Sequence, residues 1–123
     1  PLLAYDGRHV AFVTEDSGFA FVFDPDRLDD HGGVGSRYIG RVEKTALAVA
    51  LRSDTLIVIS QPTETNSYLR VERISIENGG RSGYEIFLPY QDLRDVYSVT
   101  GGTSGSMELV AKFEKERWLV LEF

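Results

Sequence analysis

The sequence predicts an all-β chain built from antiparallel four-stranded units, and three observations point there. Short runs rich in β-branched and aromatic residues dominate, and no stretch keeps apolar residues at the i, i+3, i+4, i+7 spacing of an amphipathic helix. Turn-forming residues stand between the runs, at Asp6-Gly7, Gly32-Gly33, Asn78-Gly79-Gly80 and Gly101-Gly102. The runs also recur. One series opens at His9, Thr55 and Met107, 46 and 52 residues apart, and a second opens at Phe19, Leu69 and Arg117, 50 and 48 residues apart.

Taken in order, His9–Glu15 (HVAFVTE) and Phe19–Asp24 (FAFVFD) are strands joined by a tight turn at Asp16-Ser17-Gly18. Arg37–Glu43 alternates, with Tyr38, Gly40 and Val42 on one side and Ile39 and Arg41 on the other. Ala46–Leu51 follows after Lys44-Thr45, and Thr55–Ser60 and Leu69–Glu77 form a pair across the polar loop Gln61–Tyr68. Tyr84–Tyr90, Val96–Thr100, Met107–Glu114 and Arg117–Phe123 complete ten strand candidates. Leu2–Tyr5 reads as the end of one more strand opening the first unit.

A period of about 48 residues made of short strands has the length of one propeller blade. It divides the single all-β unit 1–123 into a first blade over 1–43, a second over 46–90 and a partial third over 96–123. The runs at His9 and Thr55 are apolar on both faces, as expected of strands sandwiched between neighbouring sheets. Asp6-Gly7-Arg8-His9-Val10-Ala11-Phe12-Val13 resembles the hairpin between the first two strands of blades in β-propellers of the WD-repeat and TolB-like kinds. Phe21-Val22-Phe23 is echoed by Leu119-Val120-Leu121, whereas no Gly-His or Trp-Asp signature stands at the blade ends. The resemblance implies about two and a half blades where closed rings have about four to eight. The chain is therefore expected to be a piece of a longer polypeptide, or an arc completed by partner chains. A closed ten-stranded β-barrel and a β-sandwich are the alternative folds. A barrel calls for strict inward and outward alternation, which TLIVIS and HVAFVTE lack.

Composition narrows the function. Nineteen acidic against 13 basic residues leave a net charge of −6, with the basic residues scattered singly, which argues against a nucleic-acid-binding face. Cysteine is absent, which excludes disulfides and thiolate metal sites; with the lack of an Asn-x-Ser/Thr sequon it points towards an intracellular setting. No apolar run reaches the roughly 18 to 20 residues of a membrane-spanning helix.

No catalytic, cofactor-binding or metal-binding constellation emerges from the motifs. The segment Asp24–His31 is the most acidic, but its spacing fails the EF-hand template, since Leu28 falls where the third ligand belongs. It reads as a solvated loop, whose Asp24, Asp26, Asp29 and Asp30 would suit a basic partner surface by steering. Gly101–Ser106 lacks the Lys-Ser/Thr of a phosphate loop and the second glycine of a nucleophile elbow, and reads as a hairpin loop. His9 and His31 show no ligand or triad spacing and are expected to face solvent. The stripe Phe19, Phe21, Phe23 is expected in the core between sheets, while Tyr68 and Tyr90, beside polar loops, are the candidate partner-binding aromatics. The function expected is a non-catalytic protein–protein interaction scaffold. A barrel holding an apolar ligand and a propeller segment of a larger hydrolase are the alternatives.

Overall fold

A computed structural model describes residues 2–14, 18–28, 34–42, 46–61, 68–101 and 106–123, with residues 24–28, 34–35, 98–101 and 106 described by backbone alone. The protein is all-β, and its strands form three antiparallel sheets, none of them closed into a barrel. The first sheet holds β1 (Leu2–Tyr5), β2 (Val10–Val13), β3 (Phe19–Leu28) and β4 (Val34–Arg41). The second holds β5 (Ala46–Arg52), β6 (Thr55–Ser60), β7 (Tyr68–Ser75) and β8 (Arg81–Phe87). The third holds β9 (Leu93–Gly101), β10 (Ser106–Phe113) and β11 (Trp118–Glu122). Within each sheet chain order is spatial order, because every link is a hairpin.

Several expectations change. The barrel alternative falls, since the ladder stops after β4 and again after β8. Leu2–Tyr5 makes an eleventh full strand, paired to β2 from Leu2↔Val13 to Tyr5↔Val10. β3 continues to Leu28, so Asp24 and Asp26 sit on strand backbone rather than in a loop. β8 begins at Arg81 and ends at Phe87, which leaves Tyr90 outside it.

Packing follows from which face of each strand carries small or branched side chains. Ala4, Ala11, Val13, Ala20, Val22 and Ile39 of the first sheet meet Val49, Leu51, Leu56, Val58 and Ile74 of the second in one buried cluster. The opposite face of the second sheet, with Ala48, Ala50, Ile57, Ile59, Leu69 and Val71, meets Met107, Leu109, Ala111 and Phe113 of the third. The second sheet is thus covered on both sides, and β6 is buried at every position from Leu56 to Ser60. Strands desolvated on both faces lose the period-two alternation of a half-wet strand, which is why TLIVIS reads as a continuous apolar run. The strands β1, β5 and β9 that open the three sheets lie against one another, β5 touching both of the others.

Two turns need special backbone. Ser53 and Asp54 both take positive φ, 50° and 60°, which matches the twist of the tight β5–β6 hairpin. Gly18 has φ +68°, and a Cβ there would lie 2.4 Å from the carbonyl oxygen of Val42, so a side chain is excluded both by conformation and by space.

Candidate functional site

The outward face of the first sheet is the most distinctive surface. Alternation along β3 turns Ala20 and Val22, at 0% and 2% exposure, into the core, and turns Phe19, Phe21 and Phe23 away from it. The register then lines up Leu3, Phe12, Phe21 and Tyr38 across all four strands. Phe12 stacks on Phe21 and Phe23 at 5.1 and 5.4 Å between centroids. Tyr38 packs edge-on against Phe19 and Phe21 at 5.8 and 5.6 Å, and the Arg41 guanidinium lies 5.5 Å over Phe19. No other sheet covers these rings among the described residues, and Leu3 is 63% and Tyr38 53% exposed. The phenylalanine stripe therefore packs upon itself, on a free face, and does not fill the inter-sheet core. The alternation of Phe with Ala and Val held this signal, since small residues suit the tightly packed side.

The outward face of the third sheet is apolar as well. Tyr97, Val110 and Val120 line up in register, and Trp118 beside them carries the Lys112 ammonium 5.2 Å from its ring.

Of the partner-binding residues expected from sequence, Tyr68 opens β7 half-buried, its ring 5.7 Å from that of the exposed Phe87. Tyr90 is exposed, at 36%, and one side of it also makes contacts within the protein. Its ring lies edge-on to the fully buried Phe113 at 5.1 Å, with the Arg117 guanidinium 3.9 Å over it and that guanidinium in turn paired with Asp92. Asp24 and Asp26 lie on the backbone of β3, whereas Asp29, Asp30 and His31 lie outside the described residues, as do residues 102–105 of the glycine-serine loop.

His9 does not face solvent; it is 8% exposed. The turn Asp6–His9 folds because Asp6 Oδ1 accepts the backbone N–H groups of Arg8 and His9 at 2.9 and 2.6 Å. Asp6 Oδ2 lies 3.4 Å from His9 Nδ1, and Asp54 Oδ1 of the β5–β6 turn lies 4.0 Å from the same nitrogen. Burial pushes the Asp6 carboxyl up, but the two backbone donors, the ring hydrogen bond and the histidine's charge outweigh it and hold the group below its ordinary value. Asp6, His9 and Asp54 offer donor atoms within 4.8 Å of one another, the spacing at which a divalent cation could be held. The hydrogen bonds of Asp6 already order the first turn, and the 4.0 Å approach of Asp54 to His9 brings that turn against the β5–β6 turn of the adjacent sheet. Sequence spacing could not reveal it, because Asp54 lies 45 residues from His9.

A cavity of about 270 Å³ opens between the second sheet and the edge of the third, lined by Arg52, Ile57, Arg73, Tyr84, Ile86, Leu121, Glu122 and Phe123. No helix among the described residues is long and apolar enough to cross a membrane. No family model, no curated protein and no solved structure matches the chain.

Proposed function

We propose that this chain is a non-catalytic protein-interaction scaffold, two blades and part of a third in a propeller-like stack whose outward faces are met by partner sheets. The observation that carries this reading is the free aromatic face of the first sheet. Contiguous exposed apolar surface marks interaction sites, and aromatic residues beside an arginine are the side chains that dominate binding energy. The stack itself supports the propeller reading, because hairpin-linked sheets cover one another in chain order and their opening strands β1, β5 and β9 run together, as strands nearest a central axis would. The acidic run Asp24, Asp26, Asp29 and Asp30 fits a partner with a basic rim, where it would speed encounter rather than set affinity.

Light scattering over a concentration series tests the reading. The expected result is reversible self-association through the uncovered face, abolished by Leu3→Glu with Tyr38→Glu, which place charge among the rings without touching the buried cluster. A chain that stays monomeric at every concentration and binds no apolar dye would remove the basis for it.

A further inference from the structure

We propose that Asn78–Gly79, in the β7–β8 turn, is a site of self-modification, where the asparagine deamidates to an isoaspartyl link whenever the turn opens.

The turn itself selects the labile pair. Gly79 takes φ +73°, a conformation natural to glycine and strained for other residues, so the residue after Asn78 carries no side chain. Deamidation closes a five-membered imide between Asn78 Cγ and the Gly79 nitrogen, and a Cβ on the second residue is the usual obstacle to that closure. Asn78 is exposed, so water and hydroxide reach it.

Two hydrogen bonds act on the reacting groups in opposite senses. Gly80 N–H donates to Asn78 Oδ1 at 2.7 Å, folding the carboxamide back over the Gly79 peptide. Negative charge develops on that oxygen as the nitrogen adds to Cγ, so a donor already stands where the transition state needs one. Gly79 N–H, in contrast, donates to the Ser75 carbonyl at 2.9 Å. The nitrogen must give up that proton to attack, and a carbonyl oxygen is too weak a base to take it. A polarised carbonyl with no free nucleophile does not react, so the closed turn protects. Release of the Ser75–Gly79 bond, a local opening at an exposed turn, lets the reaction start.

The steps balance with water alone. Hydroxide takes the Gly79 N–H proton, the N–Cγ bond forms, the Cγ–Nδ2 bond breaks, and ammonia leaves with a proton from water. Water then cuts the imide at either carbonyl, giving aspartate or, where the main-chain carbonyl is cut, isoaspartate. The isoaspartyl main chain is longer by one methylene. That throws out of register the pair of 2.9 Å bonds, Gly79 N–H on the Ser75 carbonyl and Ser75 N–H on the Gly80 carbonyl. Strand β4 rests on this turn. Arg37 Nη1 donates to the Glu77 carbonyl at 3.5 Å, and the Ile39 carbonyl stands 3.5 Å from where a Cβ on Gly79 would lie. Modification therefore loosens the seat of the first sheet on the second.

The chain is incubated in mildly alkaline buffer, folded or in urea, and then briefly digested with trypsin. Arg73 and Arg81 bound the fragment Ile74–Arg81, in which Asn78 is the sole amide side chain. The expected result is a gain of one mass unit in that fragment, in step with ammonia release, with isoaspartate labelled by an isoaspartyl methyltransferase. The rate should be about tenfold or more higher in urea than in the folded chain, as for loss of two turn hydrogen bonds. Ser75→Ala removes the hydroxyl that accepts the Glu77 and Asn78 N–H groups at 3.3 and 3.5 Å. It should speed modification of the folded chain and leave the urea rate unchanged, whereas Gly79→Ala should suppress both. The purified isoaspartyl form should unfold at lower urea than the parent. Asn78→Asp, with the same charge on an unlengthened main chain, should not. If Ser75→Ala does not fold, the folded-to-urea ratio of the parent chain decides. Modification confined to the urea sample, or proceeding at one rate in both, would overturn the proposal. An isoaspartyl form as stable as the parent would overturn the loosening of β4.

Discussion

If the second sheet is dry on both sides, truncations on opposite faces of β6 should cost similar amounts. Leu56 faces the first sheet and Ile59 the third, and both are 0% exposed. Replacing either by Ala removes three carbons, which at ~0.8 kcal/mol each amounts to about 2 to 3 kcal/mol of transfer free energy. The cavity left behind raises this to about 3 to 5 kcal/mol. The two sites share no buried cluster, so their effects should add to within about 0.5 kcal/mol. The double variant would then lose most of the roughly 5 to 15 kcal/mol that holds a domain folded. Urea unfolding followed by Trp118 emission measures each midpoint, with the slope against denaturant checked for constancy. A strand with one wet face would behave differently, one truncation costly and the other within about 0.5 kcal/mol of zero. That asymmetry would refute the three-layer stack.

Other outcomes follow from single residues. Gly18→Ala should destabilise by about 2 kcal/mol or more in urea unfolding, because positive φ and the Val42 carbonyl both oppose a Cβ. Gly79→Ala, with φ +73° but its nearest contact at 3.5 Å, should cost only about 1 kcal/mol. Since the folded-state carboxyl of Asp6 titrates below its ordinary value, its contribution is full above pH ~4 and is lost as pH falls through the lowered folded value. Thermal melts across pH 2 to 6 should therefore show a steeper acid loss in the parent chain than in Asp6→Asn. Tyr90→Ala should lower stability by about 1 to 3 kcal/mol, since it strips the ring held between Phe113 and Arg117. A surface-like effect within about 0.5 kcal/mol would show that these contacts hold nothing.

Much of the architecture was legible residue by residue. The double-faced apolar runs at Val10 and Thr55, the hairpin turns and the recurring spacing located ten of the eleven strands. Leu2–Tyr5 was too short to stand as a strand by pattern alone; its pairing with β2 makes it one. The extension of β3 through Asp24, Pro25 and Asp26 runs against local propensity, and the ladder to β4 is irregular there, pairing Phe23 with Ser36 and resuming only at Leu28↔Val34. At the candidate site, alternation told which residues share a face but not which face would be covered. Hence Phe19, Phe21 and Phe23 read as core and stand on the outward side, while Tyr90, exposed as expected, also packs against Phe113 and Arg117.

Local chemistry thus decided that this chain pairs into hairpins and where each one turns, because φ preferences and period-two patterning act over a few residues. Which faces became interior and which turn residues met across sheets required the sheets to stack. Those outcomes depend on groups 40 or more residues apart, such as His9 beside Asp54 and Arg81 on the Arg41 carbonyl, and no short-range pattern encodes them.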